Sequence, residues 1–236
     1  MAAAEKILAL DSSGAACSAA LWRRGAVVAH RYRAMARGHA EALLPMLVET
    51  MAEAGEPLQA LDAVAVTVGP GAFTGIRIGL AASRGIGLAA AIPVVGVTTF
   101  AAVAEAAFET FEKQGPRRSL LVLLDSKRGD LFVQEFTPER APVGSPAVLS
   151  PDAVARRLAS GSFTIAGDGV SIVRPRLADR DLGNAATDGP ADARWVAQLA
   201  ARLIPAGEGL PPTPLYLRAP EVRLPSATPD GGASKR

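Results

Sequence analysis

An apolar run at residues 6–10 ends in Asp11-Ser12-Ser13-Gly14. One carboxylate, two hydroxyls and the N–H groups of a turn can hold a phosphate, and the carboxylate can orient a metal-bound water or a neighbouring hydroxyl. The same residues also make an ordinary β-turn, with Asp and Ser bonding their own backbone. Asp125-Ser126 and Gly167-Asp168-Gly169 are weaker versions of this arrangement. The most distinctive segment is Gly69-Pro70-Gly71-Ala72-Phe73-Thr74-Gly75-Ile76-Arg77-Ile78-Gly79. Glycines where a strand enters a helix allow close approach by another group, and the first N–H groups of the helix can receive an anion. No Lys-Ser or Lys-Thr follows the glycines, so this is not a Walker loop. The candidates for nucleotide or phosphate contact are therefore Asp11, Ser12, Ser13, Gly69, Gly71, Thr74 and Arg77, with a tight strand-to-helix junction as the plain alternative.

Other chemistry is sparse. The two histidines, His30 and His39, are not spaced as a metal pair, so a zinc site is not expected. No Ser-His-Asp or Cys-His pattern stands out. Cys17, the only cysteine, excludes an internal disulfide and reads as a small core residue in a reducing compartment.

The elements that must position these residues follow from periodicity. Residues 6–10, 17–22 and 26–32 read as three strands, with a hairpin turn at Arg23-Arg24-Gly25. Residues 39–54 have helical spacing and stop at Gly55. A strand at 61–68, a helix at 73–90, a strand at 94–97 and a helix to about 112, capped by Thr98 or Thr99, complete the order β-β-β-α-β-α-β-α. A linker follows at Gln114-Gly115-Pro116. Strands at 120–124 and 131–136, a Pro-rich loop at 138–151, a helix at 152–159, a strand at 163–166 and a helix at 192–204 come next. The tail at 221–236 has a disordered composition. This order predicts an α/β fold with mixed sheets, organised as two ribonuclease-H-like, actin-like lobes: residues 1–113, and a smaller lobe at 114–220.

Bulk properties narrow the class. The 236 residues are 49% hydrophobic and 20% charged, a globular composition. The formal charge of +2 includes no basic tract, so direct nucleic-acid binding is not expected from charge. The first eleven residues carry Glu5 and Asp11 and no long apolar run, so no signal peptide is expected. Arg84 and Pro93 interrupt the most apolar stretch, 79–97, so no membrane span is expected and the cytoplasm is the expected location.

Small residues recur every four positions at Gly75, Gly79, Ser83 and Gly87, making one line along a helix. Such a line lets the chain's own sheet, or a partner, approach closely.

The segments at 7–13, 16–21, 38–45 and 69–79 resemble the TsaB (YeaZ) family, and 125–133 resembles that family's second-lobe hairpin. The match runs from about Lys6 to Tyr216-Leu217-Arg218. The resemblance implies a two-lobed actin-like (ASKHA) subunit of tRNA threonylcarbamoyladenosine biosynthesis. It would bind and order the catalytic paralogue TsaD, with the ATPase TsaE joining and tRNA reached only through the complex. TsaD carries a His-x-x-x-His metal motif that this chain lacks, so the chain is expected to be non-catalytic and to require no cofactor of its own. ATP or ADP at the interface with TsaD is open. The implied docking surface uses His39, Leu43, Leu44, Leu47 and Met51 of the first helix. From the second it uses Phe73, Gly75, Ile76, Gly79, Leu80, Ser83 and Gly87. It would pair with itself in a homodimer when TsaD is absent. On this reading Gly79→Leu breaks the complex and leaves the monomer folded. The rival readings are an actin-like kinase or ATPase, and a metal-independent peptidase.

Overall fold

The structure, a computed structural model, describes residues 4–111, 118–160, 163–177 and 189–218. The expected linker at 114–116 and tail at 221–236 lie outside them.

The first sheet is built by β1 (Lys6–Gly14), β2 (Ala16–Arg23), β3 (Ala26–Ala34), β4 (Ala63–Gly69) and β5 (Val94–Thr98). Their order is β3-β2-β1-β4-β5, antiparallel through β1 and parallel beyond it. The second is built by β6 (Ser119–Asp125), β7 (Leu131–Phe136), β8 (Pro142–Leu149) and β9 (Phe163–Ala166), in the order β8-β7-β6-β9. Only the β6–β9 pair is parallel. The second sheet thus repeats the first without its last strand. The helices are α1 (His39–Ala54), α2 (Phe73–Ala90), α3 (Thr99–Phe111), α4 (Pro151–Ala159), α5 (Val170–Val173) and α6 (Ala193–Ala206). Thr98 caps α3, its hydroxyl accepting from Ala101 N at 3.0 Å.

Strand alternation sorts the side chains into three cores. Leu8, Leu10, Val64 and Val66 face α1 and α2. Ile7, Ala9, Ala63 and Ala65 face the other way, onto a layer of α3 and α6 that also receives Leu120, Val122 and Leu124 of the second sheet. Leu121, Leu123 and Ile165 face α4 and α5. The molecule is therefore layered helix, sheet, helix, sheet, helix, and its two sheets share one apolar core.

Two expectations need correction. Residues 138–151 are not a loop: they contain β8, which pairs with β7. It lies at the sheet edge, where Pro142 and Pro146 remove no ladder bond that a second neighbour would need. The smaller lobe is also shorter than 114–220. Its sheet and covering helices occupy residues 119–177, and α6 returns to pack on β1 and β2 of the first lobe. The returning helix is pinned at its start. Ala193 N donates to Ser18 Oγ at 2.8 Å, and His30 Nε2 lies 2.8 Å from Asp192, the residue that caps α6.

Ion pairs also tie the lobes. Glu105 on α3 is only 3% exposed. It takes both Nη groups of Arg202 on α6, each at 2.7 Å, and Nη1 of Arg140 in the β7–β8 turn at 3.0 Å.

Candidate functional site

Asp11 lies within β1, not in a free turn, because β1 continues to Gly14 with a register shift between Asp11 and Gly14. It is fully buried. Its Oδ1 accepts from Ser13 Oγ (2.6 Å), Thr67 Oγ1 (2.5 Å) and Ser13 N (3.2 Å), while Oδ2 has no partner. Burial pushes the carboxyl up to about 6, against the pull of those hydrogen bonds, and the charge on Asp192 adds to the rise.

The start of α2 covers this strand end. Ala72 N donates to Ser13 O at 2.7 Å, and Ser12 Oγ donates to Gly75 O at 2.9 Å. A Cβ at Gly71 would overlap the Ser13 carbonyl, and one at Gly75 the Ser12 carbonyl. The glycines let α2 rest on the carbonyls of β1. The expectation that Asp11, Ser12 and Ser13 contact a ligand is therefore corrected: all three are buried and both hydroxyls are used internally.

The same geometry corrects most of the expected docking surface. Leu43, Leu47 and Met51 of α1, and Ile76 and Leu80 of α2, are buried against the first sheet. Gly75, Gly79, Ser83 and Gly87 face inward too. Their small size serves the chain's own sheet: a Cβ at Gly79 would already sit 2.9 Å from Ser12 Oγ, with Val66 and Leu10 behind it. Gly79→Leu would therefore disrupt the monomer. His39 is half-buried, its Nε2 3.0 Å from Gly14 O. Leu44 and Phe73, of the expected set, are exposed.

What faces solvent on the two helices is a different stripe. Leu44 is 55% exposed, Val48 69%, Phe73 47% and Leu88 86%. Exposed Ala40, Ala52, Ala81, Gly85 and Ala89 lie between or beside them. The charges separate as well: α1 carries Glu41, Glu49 and Glu53 and no basic residue beyond His39, whereas α2 carries Arg77 and Arg84 and no acid.

A cleft of about 510 Å³ lies between the lobes. One wall is the Pro70–Thr74 segment, a second is Ser126, Lys127 and Arg128 at the β6–β7 turn, and a third is Leu215–Arg218. Of the expected phosphate contacts, Gly71 and Thr74 line it. Gly69 is turned to Leu215, and Arg77 donates to the Tyr216 hydroxyl at 3.0 Å. Lys127 Nζ lies 2.8 Å from Asp125 and 3.8 Å from Asp168; burial pushes the Asp168 carboxyl above its usual range. Residue chemistry alone did not single out Lys127, Arg128 or Tyr216; their segments were visible only through the family resemblance. Cys17 is buried, and burial pushes its thiol up to about 11, an unreactive setting. Among the described residues, no three of His, Cys, Asp or Glu are grouped to hold a metal, and no helix is long and apolar enough to cross a membrane.

Two mixed sheets of repeated topology, with a cleft between them and the first-lobe turn closed over, define a two-lobed actin-like protein. A family model described as TsaD, tRNA N6-adenosine threonylcarbamoyltransferase, matches residues 32–165. The tRNA threonylcarbamoyladenosine biosynthesis protein TsaB of Escherichia coli K12 is 34% identical over 170 residues, covering 70% of this chain and 71% of that one. The Haemophilus influenzae protein of the same name is 34% identical over 134 residues, covering 57% of this chain and 55% of that one. The solved YeaZ of Pseudomonas aeruginosa superposes with a TM-score of 0.76 at 32% identity, over 90% of this chain and 100% of that one. The chain belongs to the TsaB family.

Proposed function

We propose that this chain serves tRNA threonylcarbamoyladenosine biosynthesis in the cytoplasm as a non-catalytic subunit that docks on TsaD. The observation that carries the docking is the exposed apolar stripe on α1 and α2, where Leu44, Val48, Phe73 and Leu88 stand in solvent. Large apolar side chains exposed together on neighbouring helices, with Arg77 and Arg84 set between Phe73 and Leu88 on α2, suit an interaction site. An acidic α1 beside a basic α2 suits a partner built on the same fold, because each helix then meets its charge opposite. A second copy of this chain meets the same condition under a two-fold axis, which gives the homodimer expected without TsaD. An interface of about 800 Å² per partner is the usual size for a stable pair. TsaE then joins the pair, and tRNA is reached through it.

The non-catalytic role is supported by the sealing of Asp11, Ser12 and Ser13 under α2, which takes from the kinase reading the turn it would use. The peptidase reading finds no support in a buried cysteine with a raised pKa. The subunit needs no cofactor of its own. The open cleft beside Gly71, Thr74 and Lys127 favours one addition, a nucleotide such as ATP or ADP held near the TsaD contact.

The test uses Leu44→Asp and Val48→Asp, both at exposed positions and so compatible with a folded chain. Light-scattering mass after mixing with TsaD, with and without ATP, should show a complex for the wild type. A carboxylate driven into an apolar contact should weaken it at least about 100-fold, roughly 3 kcal/mol. Complexes of unchanged mass and affinity in both variants would remove the docking face. Modification of tRNA at a normal rate by the isolated chain would remove the non-catalytic role.

A further inference from the structure

α6 ends at Gly207, whose φ of 72° turns the chain out of the helix. Residues 208–218 then run as an open strap along the rim of the first lobe and reach the second. Other residues are shaped to its path. Leu210 and Gly96 exchange two backbone bonds, at 2.7 and 3.0 Å, and a Cβ at Gly96 would stand 2.8 Å from Pro211 O. Leu215 N donates to Val68 O at 2.7 Å, and a Cβ at Gly69 would stand 2.8 Å from Leu215 O. Gly69 and Gly96 thus make room for this segment.

Two arginines of α2 hold the strap from the outside. Arg84 donates Nε (3.0 Å) and Nη2 (2.5 Å) to Pro212 O. Arg77 donates Nε to the Tyr216 hydroxyl, its guanidinium 3.7 Å above the Phe73 ring, and Phe73 stacks on Tyr216 at 5.3 Å. At the far end Arg218 pairs with Asp130, whose other oxygen accepts from Ser126 Oγ at 2.6 Å. The strap therefore begins on β5, is fastened to α2, forms one wall of the cleft, and ends on the β6–β7 hairpin of the other lobe.

We propose that this strap is a coupling element, which transmits changes at the outer face of α2 to the second-lobe hairpin and so sets the width of the cleft. The fastening is poised for exchange. Both arginines bond neutral acceptors, a hydroxyl and a main-chain carbonyl, on an exposed helix. A carboxylate on a docking surface offers each guanidinium a full opposite charge and two acceptor oxygens, which a neutral acceptor lacks, and so draws Arg77 and Arg84 off the strap. Leu215 then keeps its bond to β4 and its packing on the first core, and Arg218 its pair with the hairpin. Linkage makes the effect reciprocal: what fills the cleft and moves the hairpin alters what α2 can bind. What triggers the strap rests on the docking reading, but the mechanical link belongs to the isolated chain and is tested there.

Hydrogen exchange on the full-length protein without TsaD decides it. In Arg77→Ala/Arg84→Ala, which loses three hydrogen bonds to the strap, exchange should rise at least about tenfold at the Leu215 amide and at the Ser126 amide of the hairpin. Amides of β1 and β4 should keep their wild-type rates. Tyr216→Phe, which loses one bond and keeps the ring stack, should give a smaller rise at the same places. Arg218→Gln should quicken Leu215 from the opposite end. A faster strap with an unchanged hairpin, no change anywhere, or a uniform rise across the first sheet each overturns the coupling. With TsaD added, wild-type strap amides should quicken while the docking face is protected. If no complex forms, the docking reading falls, and the arginine variants still decide the strap.

Discussion

Asp11 shows what a single residue can reveal and hide. Its place at a strand end, followed by two hydroxyls, is plain from residue order. That α2 lies over it is not, because Gly71 and Gly75 are some sixty positions away and their role exists only after folding. The buried carboxyl has a measurable signature. Its unfolded form loses the proton near 3.8 and its folded form near 6. In that window the folded protein holds the proton more tightly, so stability falls as pH rises and is flat above it. For this residue alone the loss is about 3 kcal/mol in order of magnitude. Asp11→Asn should flatten the dependence of the urea midpoint between pH 4 and 6; an unchanged slope would mean the carboxyl does not titrate there. The glycines give a paired test. Gly75→Ala drives a methyl into the Ser12 carbonyl and should cost about 3 kcal/mol, whereas Gly85→Ala meets open space and should gain up to about 1 kcal/mol in thermal melts.

At the scale of elements, the apolar runs of β1, β4 and β6 were legible because both faces of each strand meet a core, and the helical spacing of α1 and α2 because one face of each does. The direction of the small-residue line was not. Periodicity shows that Gly75, Gly79, Ser83 and Gly87 share a face, and it cannot say whether sheet or partner lies against it. The structure gives that face to β1 and β4, so Gly79→Leu should cost more than about 3 kcal/mol and yield little soluble protein. Recovery of a well-folded Gly79→Leu monomer would contradict this packing. α1 has more apolar positions than the sheet can cover, and Leu44 and Val48 are the remainder. β8 was missed because two prolines look like loop, yet an edge strand tolerates them.

For the whole molecule, the repeat of two mixed sheets was readable from element order, but the sharing of a core between them was not. It arises from α6, which follows the second sheet in sequence and packs on the first in space. Glu105, held by Arg140 and Arg202, adds a polar bond across the same layer. Arg202→Met leaves that buried carboxylate with Arg140 and should cost about 2 kcal/mol. Because the lobes share one core, amides of β1 and β6 should exchange with a common opening free energy in the wild type. Two separate values would mean that the lobes unfold independently. The late return of α6 also bears on biosynthesis. While a ribosome is still translating residues before 193, the alanine-lined inner side of β1 and β2 lacks the cover of α6, so the opening portion of the polypeptide must wait, half-wrapped, for its closing portion to emerge.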